Sequence, residues 1–245
     1  MTANLYDDPA FFAQYQKMLR SQKGLAGAGE WQTLQALLPD FHGKTVLDLG
    51  CGYGWHCKYA AEHGAKKVIG VDISQKMLTT ARAKNSAPAI TYLQHDLMTV
   101  AFPPKSFEIV LSSLVFHYLP SFDAVAKKVH TFLQPNGRFI FSVEHPIFTA
   151  SGTQDWEYDA HGTIKHFPVD RYFDEGVRKP RFLGIQTKKY HRTLTTYLEG
   201  LLANGFRLDH VVEPRPPEEM RDLPGMKDEL RRPMMLIIAA TKTVR

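Results

Sequence analysis

Residues 46–54 read Val-Leu-Asp-Leu-Gly-Cys-Gly-Tyr-Gly, an apolar run that ends in three glycines at alternate positions. An apolar run of this kind suits a strand covered on both faces, as in a parallel sheet flanked by helices. Glycine lets the chain reverse tightly and lets backbone approach a ligand without a side chain in the way. The helical pattern that begins near Trp55 brings free N–H groups and a positive helix terminus to the same place. Strand, glycine turn and helix together specify an α/β chain with a ligand at the carboxyl end of its first strand.

The remaining pattern agrees with that class. Short β-branched or apolar runs predict strands at Thr45–Leu49, Lys67–Val71, Ile90–Gln94, Phe107–Ser112, Arg138–Glu144, Arg207–Glu213 and Met234–Thr241. Helical patterns fall between them. Trp55–Glu62 stops near Gly64, Ser74 caps Gln75–Lys84, and Ser121 caps a helix reaching Leu133. Thr193–Ala203 ends at Asn204-Gly205, and Pro135-Asn136-Gly137 reads as a turn. Two segments break the alternation. Residues 1–40 read as helices interrupted by a flexible Gly24–Gly29 stretch, and residues 145–192 are rich in proline, glycine, aromatics and charge. An insertion of that length at a strand's carboxyl end reads as a cover over a binding site.

Composition excludes several classes. With 44% hydrophobic and 22% charged residues the chain is ordinary for a globular protein. No apolar run approaches the roughly 18 residues that a membrane span needs, and Met1–Phe12 lacks the pattern of a signal peptide, so a cytoplasmic location is expected. The two cysteines, Cys51 and Cys57, have no partner Cys/His pair at zinc-site spacing, so no metal is expected. The net charge of +5 permits an anionic substrate without demanding nucleic acid. The densest basic stretch, Arg171 to Arg192, reads either as a solvated face or as a surface for RNA.

Asp72 ends the second strand, 22 residues beyond Gly50, where a carboxylate can accept both hydroxyls of a ribose. Gln94-His95-Asp96-Leu97 brings a second carboxylate to the end of the third. In Gly50-Cys51-Gly52-Tyr53-Gly54 the last glycine comes one position too early for a dinucleotide fingerprint. Asp48 would sit badly beside a pyrophosphate. It suits an amino acid tail or a sulfonium.

These residues resemble the class I S-adenosylmethionine-dependent methyltransferases, and among them the small-molecule type found beside the ubiquinone and menaquinone methyltransferases. VLDLGCGYG is similar to the family's first motif, VIGVDIS to its acidic second-strand end, QHDL to its adenine-contacting loop, and SFEIVLSSLVFHYL to its fourth strand and following loop. The likeness is strong over residues 40–145 and looser over the last two strands. It implies a three-layer Rossmann-like sandwich around a seven-stranded, mostly parallel sheet with an antiparallel last strand. A single domain would comprise an N-terminal helical cap (1–40), a cofactor-binding core (41–144), a substrate-cover insertion (145–192), and a C-terminal helix with the last two strands (193–245).

It also implies roles for S-adenosylmethionine. Gly50, Cys51 and Gly52 would pass under the methionine moiety, and Asp72 would hold the ribose while Ile73 packs on the adenine. Asp96 and Leu97 would meet the adenine, and Ser112 and Ser113 would lie near the carboxylate or the sulfur. Tyr15 and Arg20 would close the cap over the cofactor. Asp48 would bond either the turn's backbone or the cofactor ammonium. For catalysis the candidates are His117 on the loop after the fourth strand, Glu144 and His145 at the end of the fifth, and His191 and Arg192 before the next helix. Each has a plain structural alternative as a packing, turn or helix-start residue. Methyl transfer needs alignment and dryness more than it needs a base. The expected acceptor is a small organic molecule, aromatic or acidic in character. The rival expectations are an RNA methyltransferase working through residues 171–192, a protein that binds the cofactor without catalysis, and, more distantly, a dehydrogenase.

Overall fold

The structure, a computed structural model, describes residues 4–244. The strand before the glycine turn, β1 (Thr45–Leu49), lies inside a seven-stranded sheet with β2 (Lys67–Asp72), β3 (Ile90–Gln94), β4 (Phe107–Ser113), β5 (Leu133–Glu144), β6 (Phe206–Val212) and β7 (Met235–Lys242). The order across the sheet is β6-β7-β5-β4-β1-β2-β3. β1 pairs in parallel with β2 and β4, while β7 runs antiparallel to both β5 and β6. The first crossover after β3 returns the chain to the other side of β1. That reversal of strand order opens a crevice at the carboxyl ends of β1 and β4, the place where such sheets bind ligands.

Helices α1 (Pro9–Tyr15), α2 (Leu19–Lys23) and α3 (Trp31–Ala36) precede the sheet; α4 (Trp55–Glu62), α5 (Gln75–Lys84), α6 (Phe122–Phe132), α7 (Pro146–Thr149) and α8 (Leu194–Ala203) follow the strands. The expected caps form, with Ser74 and Ser121 accepting from the amides of Met77 and Ala124, and Thr193 lies one position outside α8 as its cap, accepting from the Thr196 amide. Two apolar layers cover the sheet. One is built on Phe116, Phe122, Phe139, Phe141 and Tyr197, the other on Phe41, Cys57, Leu78 and Ile237. Among the described residues no helix is long and apolar enough to cross a membrane.

Three local expectations change. β5 starts at Leu133, because Leu133 pairs with Phe107 before the Pro135-Asn136-Gly137 turn bulges out of the ladder with Asn136 at φ 60°. Residues Gly24–Gly27 form a 3-10 turn packed against α2 rather than a flexible break. The insertion is a set of short two-stranded ribbons, 157–158 with 164–166, 181–182 with 185–186, and 176–178 with 189–191.

The N-terminal segment is pinned to the core by Asp7, which accepts from Ser74 Oγ at 2.7 Å and from the Lys76 amide at 3.0 Å. This carboxylate sits at the start of α5, where a helix terminus favours negative charge. The cap is thereby held over the crevice.

Candidate functional site

The crevice is a single cavity of about 500 Å³, within the range of small-molecule sites. One end is walled by Gly50, Gly52, Asp72, Ile73, Asp96 and Leu97, at the ends of β1, β2 and β3. The other is walled by Tyr6, His117, Tyr118, Glu144, Phe182 and Tyr190, drawn from the cap, from the loops after β4 and β5, and from the insertion. Tyr15, Arg20 and Ser113 also line the cavity.

At the first end the turn is held open from outside. Gly50, Gly52 and Gly54 have φ of 77°, 52° and 77°, which only glycine adopts freely. A Cβ on Gly52 would meet nothing within 4 Å, so its backbone faces open space. The Gly52 amide donates to Asp72 Oδ2 at 2.9 Å, and the Ser74 amide donates to Oδ1 at 2.8 Å. Burial raises the Asp72 carboxyl pKa against the pull of those amides. It is an acceptor still short of donors, suited to a pair of hydroxyls. Asp96 Oδ1 accepts from the Met98 amide at 2.8 Å and keeps its other oxygen for a ligand. A side chamber of about 80 Å³ shares Tyr15, Arg20, Gly50, Gly52 and Ser113 with the cavity and adds Cys51 and Trp55. There the buried Trp55 Nε1 has no partner among the described residues. Open glycine backbone, a carboxylate pair and an orphaned donor fit a nucleoside carrying a polar tail.

Arg20 donates two hydrogen bonds to Glu30, at 2.8 and 3.0 Å, so its guanidinium is already neutralised beside the chamber. The remaining expected residues do not line the main cavity. Ser112 is buried and donates to the Leu49 carbonyl at 2.7 Å, bracing β4 against β1. Asp48 faces the opposite helical layer, where Cys57 Sγ lies 3.3 Å from its carboxylate. Burial there pushes the Asp48 pKa up to about 7.

That shift carries a stability consequence. A carboxyl with a raised folded-state pKa keeps its proton longer when folded, so stability falls as pH rises from its unfolded value toward its folded one. Asp48→Asn is therefore expected to flatten the stability decline between about pH 4 and 7. It should leave the variant roughly 1–3 kcal/mol more stable than the parent at pH 8. Urea unfolding midpoints at the two pH extremes provide the check, and a variant weaker at pH 8 would show that Asp48 is held charged.

At the second end, His117, Glu144 and Lys189 form one buried group. Lys189 Nζ donates to Glu144 Oε1 at 2.5 Å and to Gln154 Oε1 at 3.0 Å. Gln154 Nε2 donates to Glu144 Oε2 at 2.7 Å. Burial pushes the Glu144 pKa up, but His117, Lys189 and Gln154 outweigh it and hold the carboxyl below its ordinary range. His117 Nδ1 accepts the Glu144 backbone amide at 3.3 Å, so the neutral ring carries its proton on Nε2, 4.0 Å from Glu144 Oε1. Burial, helped by the charges of Lys189 and Arg192, lowers the His117 pKa to about 4. The ring is neutral with its lone pair engaged. Above it Tyr6 Oη lies 3.2 Å from Tyr118 Oη, closing the cap over the pocket.

The other expected catalytic residues are turned elsewhere. His145 caps α7 through the Ile147 amide and pairs with Glu213 at 2.9 Å. His191 is buried between Thr149 Oγ1 at 2.7 Å and the Tyr172 carbonyl at 2.8 Å. Arg192 is buried and donates to the carbonyls of Phe116 and Leu119, bracing the His117 loop from behind. The basic stretch is therefore not one solvated band. Arg178, Lys189 and Arg192 are inside, with Arg178 donating to the Ala150 carbonyl at 2.9 Å. Of the insertion's aromatics expected to suit an apolar acceptor, Phe182 lines the cavity, whereas Tyr118, Lys189 and Gln154 were not expected as site residues. A lysine in a run of charged neighbours gives no local sign of pointing inward.

Residues 47–141 match the family model described as a methyltransferase domain. A candidate S-adenosylmethionine-dependent methyltransferase from Listeria monocytogenes is 56% identical, with 90% of this chain and 100% of that one covered at a TM-score of 0.86. An S-adenosylmethionine-dependent methyltransferase from Mesorhizobium loti is 43% identical, with 89% and 100% covered at a TM-score of 0.83. The demethylmenaquinone methyltransferase of Lactococcus lactis is 34% identical over 178 residues, 62% of this chain and 70% of that protein.

Proposed function

The chain belongs to the S-adenosylmethionine-dependent methyltransferases, and we propose that it methylates a small organic acceptor held at the Glu144 end of the cavity. The supporting observation is continuity. One cavity joins the Gly52–Asp72 end to an aromatic pocket under the cap. The Lactococcus lactis relative is named for a quinone, demethylmenaquinone.

Bound S-adenosylmethionine supplies a methyl group already activated by a positive sulfur. Asp72 would accept from the ribose hydroxyls and Asp96 from the adenine amino group, the Gly50–Gly52 backbone would hold the amino acid tail, and Ile73 and Leu97 would flank the base. The Tyr6–Tyr118 contact and Phe182 exclude water from the reacting end, where alignment of the nucleophile is the main contribution. His117 packs and positions the end of β5 through the Glu144 amide. The cap and the 145–192 insertion form the acceptor cover.

An RNA acceptor is disfavoured by the burial of Arg178, Lys189 and Arg192, which removes three of the charges that residues 171–192 offered to phosphate.

Asp72→Ala is expected to weaken S-adenosylhomocysteine binding by about 1–3 kcal/mol, roughly 5- to 150-fold, the scale of a lost hydrogen bond to a charged group. Calorimetric titration measures it. Unchanged affinity would remove Asp72 from the cofactor site.

A further inference from the structure

Resting on the methyl-transfer reading above, we propose that the acceptor is an acidic oxygen compound, a carboxylic acid or an acidic phenol or enol. It is bound as its oxyanion, with its apolar body against Phe182 and Tyr190.

Among the described residues, the acceptor end holds no group well placed to remove a proton. The His117 lone pair at Nδ1 is taken by the Glu144 amide. Glu144 accepts from Lys189 at Oε1 and from Gln154 at Oε2, and these neighbours hold its carboxyl below the ordinary range, so it is a weaker base than a free carboxylate. Tyr6 and Tyr118 are phenols whose pKa values burial raises further, so they remain protonated. A nucleophile that works here must arrive unprotonated.

The charge beneath the pocket selects which one. Two buried cations, Lys189 and Arg192, stand behind one carboxylate, Glu144, and Arg192 is met by carbonyls rather than by an acid. Lys188 lines the same end, exposed, over the Tyr190 ring at 5.1 Å, and pairs with no carboxylate among the described residues. Asp72 and Asp96 belong to the opposite end, and Glu30 is spent on Arg20. The acceptor end is thus net positive, which favours an anion and disfavours an ammonium. A cationic acceptor is also opposed at the rings, since Lys189 already lies 5.8 Å from the Tyr118 ring and 5.1 Å from that of Phe182. Finally, whichever tyrosine hydroxyl donates in the Tyr6–Tyr118 pair, one phenolic proton is left to donate to an oxyanion.

The step balances without a base. The acceptor oxygen supplies the electron pair of the new O–C bond, the pair of the broken C–S bond stays on sulfur, and the opposite charges of oxyanion and sulfonium cancel. No proton changes hands.

The test titrates three probes of matched shape, 4-phenylbutyrate, 4-phenylbutyramide and 4-phenylbutylamine, into protein saturated with S-adenosylhomocysteine. The acid is expected to bind at least about tenfold more tightly than the amide, with the amine weakest. Lys188→Gln, at an exposed position, should weaken the acid severalfold and leave the amide unchanged. Glu144→Gln should strengthen the acid, whereas a carboxylate that acts as base or cation receptor requires the reverse. Equal affinities, a preference for the amine, or no detectable binding of the acid overturn the proposal. Failure of S-adenosylhomocysteine to bind instead removes the cofactor placement, and the probe preference is then read on the protein alone.

Discussion

Gly54→Ala is expected to cost about 2–5 kcal/mol of folding stability and to abolish measurable S-adenosylhomocysteine binding in the folded fraction. Two independent effects add. Gly54 has φ 77°, and moving a residue with a Cβ into the left-handed region costs roughly 1–2 kcal/mol. The added Cβ would also lie 2.1 Å from Tyr92 Oη, and that hydroxyl cannot swing aside cheaply. Tyr92 is buried on β3 and its hydroxyl donates to the Asn85 carbonyl at 2.7 Å, while Asn85 Nδ2 donates to the Tyr53 carbonyl at 2.7 Å. Tyrosine, asparagine and glycine turn form a closed circuit, so relief at one member breaks a buried hydrogen bond at another. Overpacking of that kind costs about 1–3 kcal/mol on its own. Urea denaturation gives the stability and calorimetry the affinity. Gly43→Ala is the control, because Gly43 shares a positive φ of 69° but an added Cβ there meets nothing within 4 Å. If the two variants lose equal stability, backbone strain accounts for everything and the Tyr92 circuit for nothing.

The two ends of the cavity differ in how far sequence reveals them, and Gly54 shows why. Its glycine was legible because the turn is local, with strand, turn and helix contiguous in the chain. Asp72 was legible for a related reason. In a parallel sheet the carboxyl ends of neighbouring strands lie together, so the residue ending β2 must lie beside the turn ending β1. Tyr92, which makes the glycine indispensable, was not legible. Its side chain reaches across from β3 only because of the register that pairs Tyr92 with Gly70, and the absence of a Cβ at Gly70 leaves room for the ring. The acceptor end depends still more on distant pairing. Glu144 meets Gln154 and Lys189 through a ribbon that folds 176–178 onto 189–191. No periodicity announces that ribbon. Polar residues such as His191 and Arg192 suggested chemistry in the sequence, yet the fold uses them to hold the insertion and the His117 loop in place.

Lys189→Met should show how strongly the insertion is bound to the sheet. Lys189 is 2% exposed and Glu144 is 12% exposed. Removing the ammonium leaves a carboxylate out of water with only Gln154 and the neutral His117 beside it. Breaking one partner of such a buried pair costs about 3–5 kcal/mol, a large share of the roughly 5–15 kcal/mol that stabilises a typical domain. The sign of the pH dependence follows from the carboxyl. In the parent protein the Glu144 pKa is lowered, so its stabilising contribution is present above the unfolded-state value and is lost as pH falls through the folded one. In the variant the same carboxyl is no longer held down and its pKa rises, so the penalty grows with increasing pH and fades in acid. The gap in stability between the two proteins is therefore expected to be widest near pH 8 and to narrow toward pH 4. The double variant Glu144→Gln with Lys189→Met removes both charges together. It should recover most of the loss, because the penalty comes from the stranded carboxylate and not from the missing lysine. Additive losses in the double variant, or a gap that does not change with pH, would mean that Lys189 stabilises the insertion by burying its stem rather than by its charge.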